Sequence, residues 1–355
     1  MRILVTGGAG FIGSHVVDLL VSDGHDVVVI DSLDPHSHDG RPADLNDAAD
    51  WRWHPLQQID ATVAAVAGVD AVCHHAARVG HGVPFGDTPS FVEHNDLATA
   101  ALLAALHETR FAGRIVLASS MVVYGEGAYH CAGHGPVRPL PRSVDDLDAG
   151  RFEPRCPICG AVVAPSLVIE DDQIDPRSVY AATKVHQEHL ARVYAREHRG
   201  TTVTALRYSN VYGPRMAQDA PYSGVAGRFR SQIEAGSRPT VFEDGGQRRD
   251  FVHVRDTARA NVLALTGTSA HDGALNIASG RPATLLEMAT ALCVARDSRL
   301  WPEVVGGYRP GDVRHLTAST ARAADTIGFK AEVSLTEGLK EFARSPMRPR
   351  PAQAG

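Results

Sequence analysis

The sequence predicts an α/β fold: a doubly wound parallel sheet, a smaller mixed α/β domain, and a short inserted segment with its own order. Three observations carry this. Apolar runs of strand length alternate with helical patterns in the first half of the 355 residues, the rhythm of βαβ units. A glycine-rich turn joins the first strand to the first helix. From about residue 125 to 175 that rhythm stops, and histidine, cysteine, proline, glycine and charge dominate.

Taken in order, strands are expected at residues 3–6, 27–31, 71–74 and 115–119, with helices at 12–22, 62–67 and 96–108 between them. Beyond the insertion the pattern predicts a helix over 179–197, a strand at 203–208 and a helix at 225–235. A strand at 250–254, a helix at 254–266 and a last helix near 335–343 follow. The expected division is a nucleotide-binding domain over 1–175, interrupted by the insertion at 126–172. A second domain over 176–344 is partly interleaved with the first. The proline-rich, polar end at 345–355 reads as a flexible tail.

Bulk properties narrow the function classes. A net charge of -6 argues against a general nucleic-acid binder, which needs a basic face. It leaves anionic small molecules open. No apolar run approaches the roughly 18 residues of a spanning helix, so no membrane partner is expected. The chain opens directly as a strand with no signal-peptide pattern, which predicts a cytoplasmic location. Five cysteines are too few for a disulfide scaffold. Cys73 and Cys293 sit in apolar runs and read as core thiols.

The first strand runs into Thr6-Gly7-Gly8-Ala9-Gly10-Phe11-Ile12-Gly13. In such a turn Gly7 permits the tight bend, Gly10 lets the backbone approach a pyrophosphate, and Gly13 lets the helix pack closely on the sheet. The helix opened by Phe11 and Ile12 then offers free N–H groups and its positive end to phosphates. The second strand ends in Asp31, a carboxylate suited to the adenosine ribose hydroxyls that repels a 2′-phosphate, which predicts NAD. Asp60 is a second candidate for the adenine end, beside the reading of a plain surface carboxylate.

Tyr180 and Lys184 share one helical face. An ammonium and a nicotinamide charge near a phenol predict a tyrosine pKa below its ordinary value of about 10, suiting it as a general base. Alone, this spacing is common. With the glycine turn and Ser119-Ser120-Met121-Val122-Val123-Tyr124-Gly125, it strongly resembles the extended short-chain dehydrogenase/reductase family, among its nucleotide-sugar epimerases and dehydratases. Three further segments match: Leu206-Arg207-Tyr208-Ser209-Asn210-Val211-Tyr212-Gly213-Pro214, Arg249-Asp250-Phe251-Val252-His253-Val254 and Leu275-Asn276-Ile277-Ala278-Ser279-Gly280.

The resemblance implies a Rossmann sheet and roles for single residues. Ser120 would hydrogen-bond the reacting sugar hydroxyl, Tyr180 exchange its proton, and Lys184 contact the nicotinamide ribose. Asn210 and Arg249 would hold the substrate diphosphate, with Arg309 and Asp312 as late phosphate and ribose contacts. His74 and His75, before Ala76-Ala77, fall where the family chain passes the cofactor. A homodimer packed through helices 96–108 and 179–197 is also implied.

Dehydratases of the family carry an Asp-Glu pair after the catalytic hydroxyl residue, to move protons at C5 and C6. Here Met121 and Val122 stand in that place, and neither moves a proton. The expected reaction is therefore a 4-epimerisation with tightly bound NAD, on a dTDP- or UDP-hexose, a dTDP-6-deoxyhexose favoured. A decarboxylase and a ketoreductase stay open as enzyme alternatives, and a non-catalytic NAD sensor as another class.

Cys131-Ala132-Gly133-His134 and Cys156-Pro157-Ile158-Cys159 form C-x-x-H followed by C-x-x-C, the layout of a small zinc ribbon. Cys131, His134, Cys156 and Cys159 are the expected structural zinc ligands, with His130 an alternative to His134. A disulfide or free loop thiols are the competing readings. Four protein ligands leave no open position for catalysis by the metal. Such cysteine-bearing insertions resemble those of a rhamnose-epimerase-like subset of the family.

Overall fold

The structure, a computed structural model, describes residues 1–80, 85–218, 224–309 and 311–350. Its first part comprises β1 (Arg2–Thr6), α1 (Phe11–Ser22), β2 (Asp26–Asp31), β3 (Asp50–Trp53), α2 (Ile59–Val66) and β4 (Ala71–His74). One helical stretch follows: α3 (Thr88–Phe91), a π-helical segment at Val92–Leu97, and α4 (Ala98–Glu108), leading to β5 (Arg114–Ser120). The insertion holds β6 (Ala128–Cys131), β7 (Gly135–Val137), α5 (Val144–Asp148) and β8 (Ala164–Ser166).

After it come α6 (Val179–Glu197), β9 (Thr202–Tyr208), β10 (Asn210–Tyr212), α7 (Val225–Glu234), β11 (Thr240–Val241) and β12 (Arg248–His253). Then follow α8 (Val254–Thr266), β13 (Gly273–Ile277), β14 (Pro282–Thr284), α9 (Leu285–Ala295), β15 (Glu303–Val304), β16 (His315–Leu316), α10 (Ala321–Ile327) and α11 (Leu335–Arg344).

The main sheet has the order β13-β9-β5-β4-β1-β2-β3, with every pair parallel. Its inner strands are continuous apolar runs because helices cover both faces. On one face, α1 and α8 bury Val16, Leu20, Val262 and Leu265 against it. On the other, α2, α4 and α6 bury Val66, Leu102, Leu106 and Ala191. Strand order reverses between β1 and β4, and the crevice beyond that switch is where such sheets bind ligands.

The second domain packs α7, α9 and α11 against β10-β12-β14, with β16 on β12, around Phe229, Phe251, Met288, Leu292 and Phe342. The insertion is an antiparallel sheet of order β7-β6-β8. Among the described residues no helix is long and apolar enough to cross a membrane.

The sheet does not stop at residue 175. β9 and β13 extend it, and α6 and α8 cover it, so the chain re-enters the first domain after the insertion. The helix expected from 96 lies in a helical stretch that begins at Thr88 and passes through a π turn carrying Asn95 inward. Its amide donates to Arg78 O (3.0 Å) and Thr183 Oγ1 (2.8 Å), joining β4's loop to α6. The expected flexible tail is held as far as residue 350. Arg348 pairs through its backbone with Met216 and Gln218, and its guanidinium binds Ala9 O at 2.5 Å and Asp44 at 2.7 Å. Residues 351–355 lie outside the described residues. Cys73 and Cys293 are fully buried, as expected.

Candidate active site

A cavity of 1340 Å³ opens at the switch point, between the sheet and the second domain. Gly7, Gly10, Phe11, Ile12 and Gly13 line one end. Ser120, Tyr180 and Lys184 line its middle wall, and Asn210, Arg249, Arg309 and Asp312 belong to the same lining.

Backbone proximity explains the glycines. Gly7 has φ +68°, and a Cβ there would stand 2.6 Å from Ala76 N. A Cβ on Gly13 would stand 2.3 Å from Gly7 O. Gly10 caps α1 without a side chain, leaving the first amides of the helix open to a phosphate. This cradle fits a dinucleotide. Asp31 is buried beneath it and takes N–H bonds from Ala9 and Leu33, both at 2.9 Å. A carboxylate has lone pairs left for ribose hydroxyls, yet Asp31 is not among the lining residues, whereas His36, Ser37 and His38 are.

Two further sequence candidates are also absent from the lining. Asp60 is exposed in the first turn of α2, where a carboxylate meets the positive helix end. Ala76 donates its N–H to Thr6 Oγ1 and packs on Gly7, while its neighbours His75 and Ala77 line the wall.

Ser120 ends β5, and its hydroxyl accepts Val122 N–H at 3.3 Å. Tyr180 stands in the first turn of α6, whose N-cap Ser178 accepts Ala181 N–H. The Tyr180 phenol is hydrogen-bonded to Ser120. Lys184, one turn on, donates to Ala118 O at 3.0 Å and lies 5.8 Å from the Tyr180 ring.

The expected low tyrosine pKa is not what the chain itself sets. Burial pushes Tyr180 up to about 12, and the Ser120 bond offsets only part of this. Burial likewise pushes Lys184 down to about 7, against the pull of Glu188 and Asp96. Lys184 directs its ammonium to a carbonyl rather than to the phenol, so burial dominates at Tyr180.

Sequence reasoning missed the support below these groups. Buried Glu188 accepts Arg207 at 3.0 and 2.8 Å and the Ser119 hydroxyl. Arg207 also donates to the Tyr124 hydroxyl at 2.8 Å, which donates to Asn276. Helical spacing after Lys184 was the available signal for Glu188.

At the far end Arg249 reaches Asp312 Oδ1 at 3.2 Å. The guanidinium groups of Arg228 and Arg309 stand 5.0 and 5.2 Å from the Phe242 ring. Arg228 and Phe242 are cavity residues that no sequence motif had singled out.

In the insertion, donor atoms of Cys131, His134, Cys156 and Cys159 all lie within 4.8 Å of one another. Cys131 Sγ is 3.6 Å from His134 Nδ1 and 3.7 Å from Cys159 Sγ, and Cys156 Sγ is 3.7 Å from His134 Nδ1. A tetrahedral zinc with bonds of about 2.3 Å to sulfur and about 2.0 Å to nitrogen sets edges of about 3.8 and about 3.5 Å. The donor set fits such an ion. His130, on the same strand, is not in the cluster.

The family model for the NAD dependent epimerase/dehydratase family matches residues 3–143 and 158–278. The chain belongs to this family. The family match is interrupted over 144–157, inside the Cys/His lobe.

Within the family, the chain is 32% identical to a dTDP-L-rhamnose 4-epimerase of Burkholderia thailandensis, over 96% of this chain and 93% of that protein. It superposes on the UDP-glucose 4-epimerase of Thermus thermophilus in complex with NAD, with a TM-score of 0.76, 29% identity and coverage of 97% and 98%. A UDP-N-acetylglucosamine 4-epimerase from Methanobrevibacter ruminantium, in complex with UDP-N-acetylmuramic acid, gives a TM-score of 0.76 at 28% identity, covering 97% of each chain.

Proposed function

We propose that this enzyme is a nucleotide-sugar 4-epimerase that keeps NAD bound, with a dTDP-6-deoxyhexose as its favoured substrate. One observation carries the reading. Ser120, Tyr180 and Lys184 meet in a cavity between a dinucleotide cradle and an arginine-lined end, and apolar Met121 and Val122 follow the serine. The likeness to a dTDP-L-rhamnose 4-epimerase supports the deoxysugar.

NAD, when bound, supplies a two-electron acceptor for the C4 hydrogen and a positive ring charge that favours the Tyr180 phenolate. Ser120 and Tyr180 hold the C4 hydroxyl between them. The Tyr180 oxygen takes the hydroxyl proton as the C4–H bond breaks, leaving a 4-keto sugar. Arg249, Arg309 and Asn210 keep the diphosphate anchored while the keto sugar turns over. Tyr180 then returns its proton as hydrogen reaches the opposite face of C4. Lys184 holds the nicotinamide ribose.

Three further parts belong to this reading. A structural zinc sits on Cys131, His134, Cys156 and Cys159, supported by the edge lengths of that cluster. A second copy packs on α4 and α6, supported by exposed Leu97, just before α4, and exposed Val193 on α6. A cytoplasmic address keeps the cysteine ligands reduced.

Substrate deuterated at C4 tests the chemistry. Deuterium retained at C4 of the inverted product is expected, and label lost to solvent would refute the mechanism. Zinc content of protein prepared without metal affinity tests the cluster: Cys156→Ser should remove it, and unchanged zinc would rule these ligands out.

A further inference from the structure

Besides its four metal ligands, the lobe presents side chains that grip the stretch of chain bearing Arg309 and Asp312. At the end of α5, Asp148 accepts the hydroxyl of Tyr308 at 2.6 Å. Arg142, past β7, donates to the backbone oxygen of Asp312 at 2.7 Å and pairs with Glu243 at 2.8 Å. Glu153 takes the Arg314 guanidinium at 2.6 Å and contacts the His315 ring at 2.9 Å. Tyr129 and Glu126 accept the backbone N–H groups of His315 and Arg314, at 3.2 and 3.1 Å. Tyr129 shares a small core with the metal ligands Cys131 and Cys156.

The grip passes on to the cavity. Arg249 donates to Arg314 O at 2.9 Å, to Val313 O at 2.7 Å and to Asp312 Oδ1 at 3.2 Å. Arg314 is only 2% exposed and is also bound by Glu243 and Asp244. Buried charges of this kind tolerate one geometry, because a partner moved away leaves a charge out of water without its mate. Three short strands bury too little to hold such a geometry themselves, and a metal is the staple that small units use.

We propose that the metal lobe is a brace for nucleotide binding. It holds residues 308–309 and 311–315, and through them Arg249 and Asp312, in the arrangement that takes the nucleoside diphosphate of the substrate. Arg142 and Glu153 are its positioning residues. The proposal rests on reading Arg249, Arg309 and Asp312 as the diphosphate end.

Calorimetric titration of the full-length, NAD-loaded protein with dTDP and with UDP tests it, alongside kcat and KM. Arg142→Ala should weaken diphosphate binding at least about tenfold and raise KM alike, with kcat within about twofold. Arg142→Lys should recover part of the loss. Cys159→Ser should lose the metal and show the same affinity defect, with NAD retained. Should Arg142→Ala not fold, Tyr308→Phe removes one hydrogen bond at the surface and should weaken binding about two- to fivefold. Wild-type protein that binds dTDP or UDP while these variants bind equally well would overturn the brace and leave the epimerase reading standing. Wild-type protein that binds neither would overturn the diphosphate end and the brace together.

Discussion

Glu188 and Arg207 form a two-pronged ion pair, at 3.0 and 2.8 Å, with both side chains almost wholly buried. Because Glu188 also accepts Ser119, this pair ties the helix of Tyr180 and Lys184 to the strand that ends in Ser120. Glu188→Gln should destabilise the fold by roughly 3–5 kcal/mol, since it strands a buried guanidinium. Urea unfolding measures it. Adding Arg207→Met should cost less than the two changes summed. A Glu188→Gln midpoint matching the wild type would show the pair to be energetically idle.

On the proposed mechanism, Tyr180→Phe removes the oxygen that takes the C4 hydroxyl proton. Turnover should fall by about a hundredfold or more, with NAD content and melting temperature unchanged. Steady-state assay of folded, NAD-containing variant decides it. An unchanged rate would transfer the proton step to another group.

Four histidines are held neutral by burial. His15, His75 and His253 are pushed down to about 4 and His74 to about 3, from an ordinary 6.5. Between those values and 6.5 the unfolded chain binds protons that the folded chain refuses. Stability therefore rises with pH across that window and is lost as pH falls from 6.5 toward 4. Melting temperatures at constant ionic strength should drop steadily from pH 6.5 to 4.5. A flat profile would mean that these rings take up protons in the folded state.

Much of the site was legible because its chemistry is local. The glycine turn, the Tyr180–Lys184 spacing and the paired Cys/His knuckles each lie within a few residues. Groups meeting across distance were not. Arg348 reaches Ala9 from the far end of the chain, and its proline-rich neighbourhood reads as a loose tail. Glu153 looks like an ordinary loop carboxylate until the fold sets it on Arg314. β3, with sequence DWRW, lacks an apolar run because it is an edge strand. α9 hid in a nearly all-apolar stretch, though the Thr284–Glu287 capping box marked its start. Asp60 reads two ways because a carboxylate after an apolar segment serves a helix start as well as a ligand.

The most direct test of the central claim is mass spectrometry, after chromatographic separation, of purified enzyme incubated with a panel of dTDP- and UDP-hexoses and no added nicotinamide. The account predicts a product of unchanged mass and new retention time, strongest for a dTDP-6-deoxyhexose. Loss of water or carbon dioxide, or no conversion of any sugar, would contradict it.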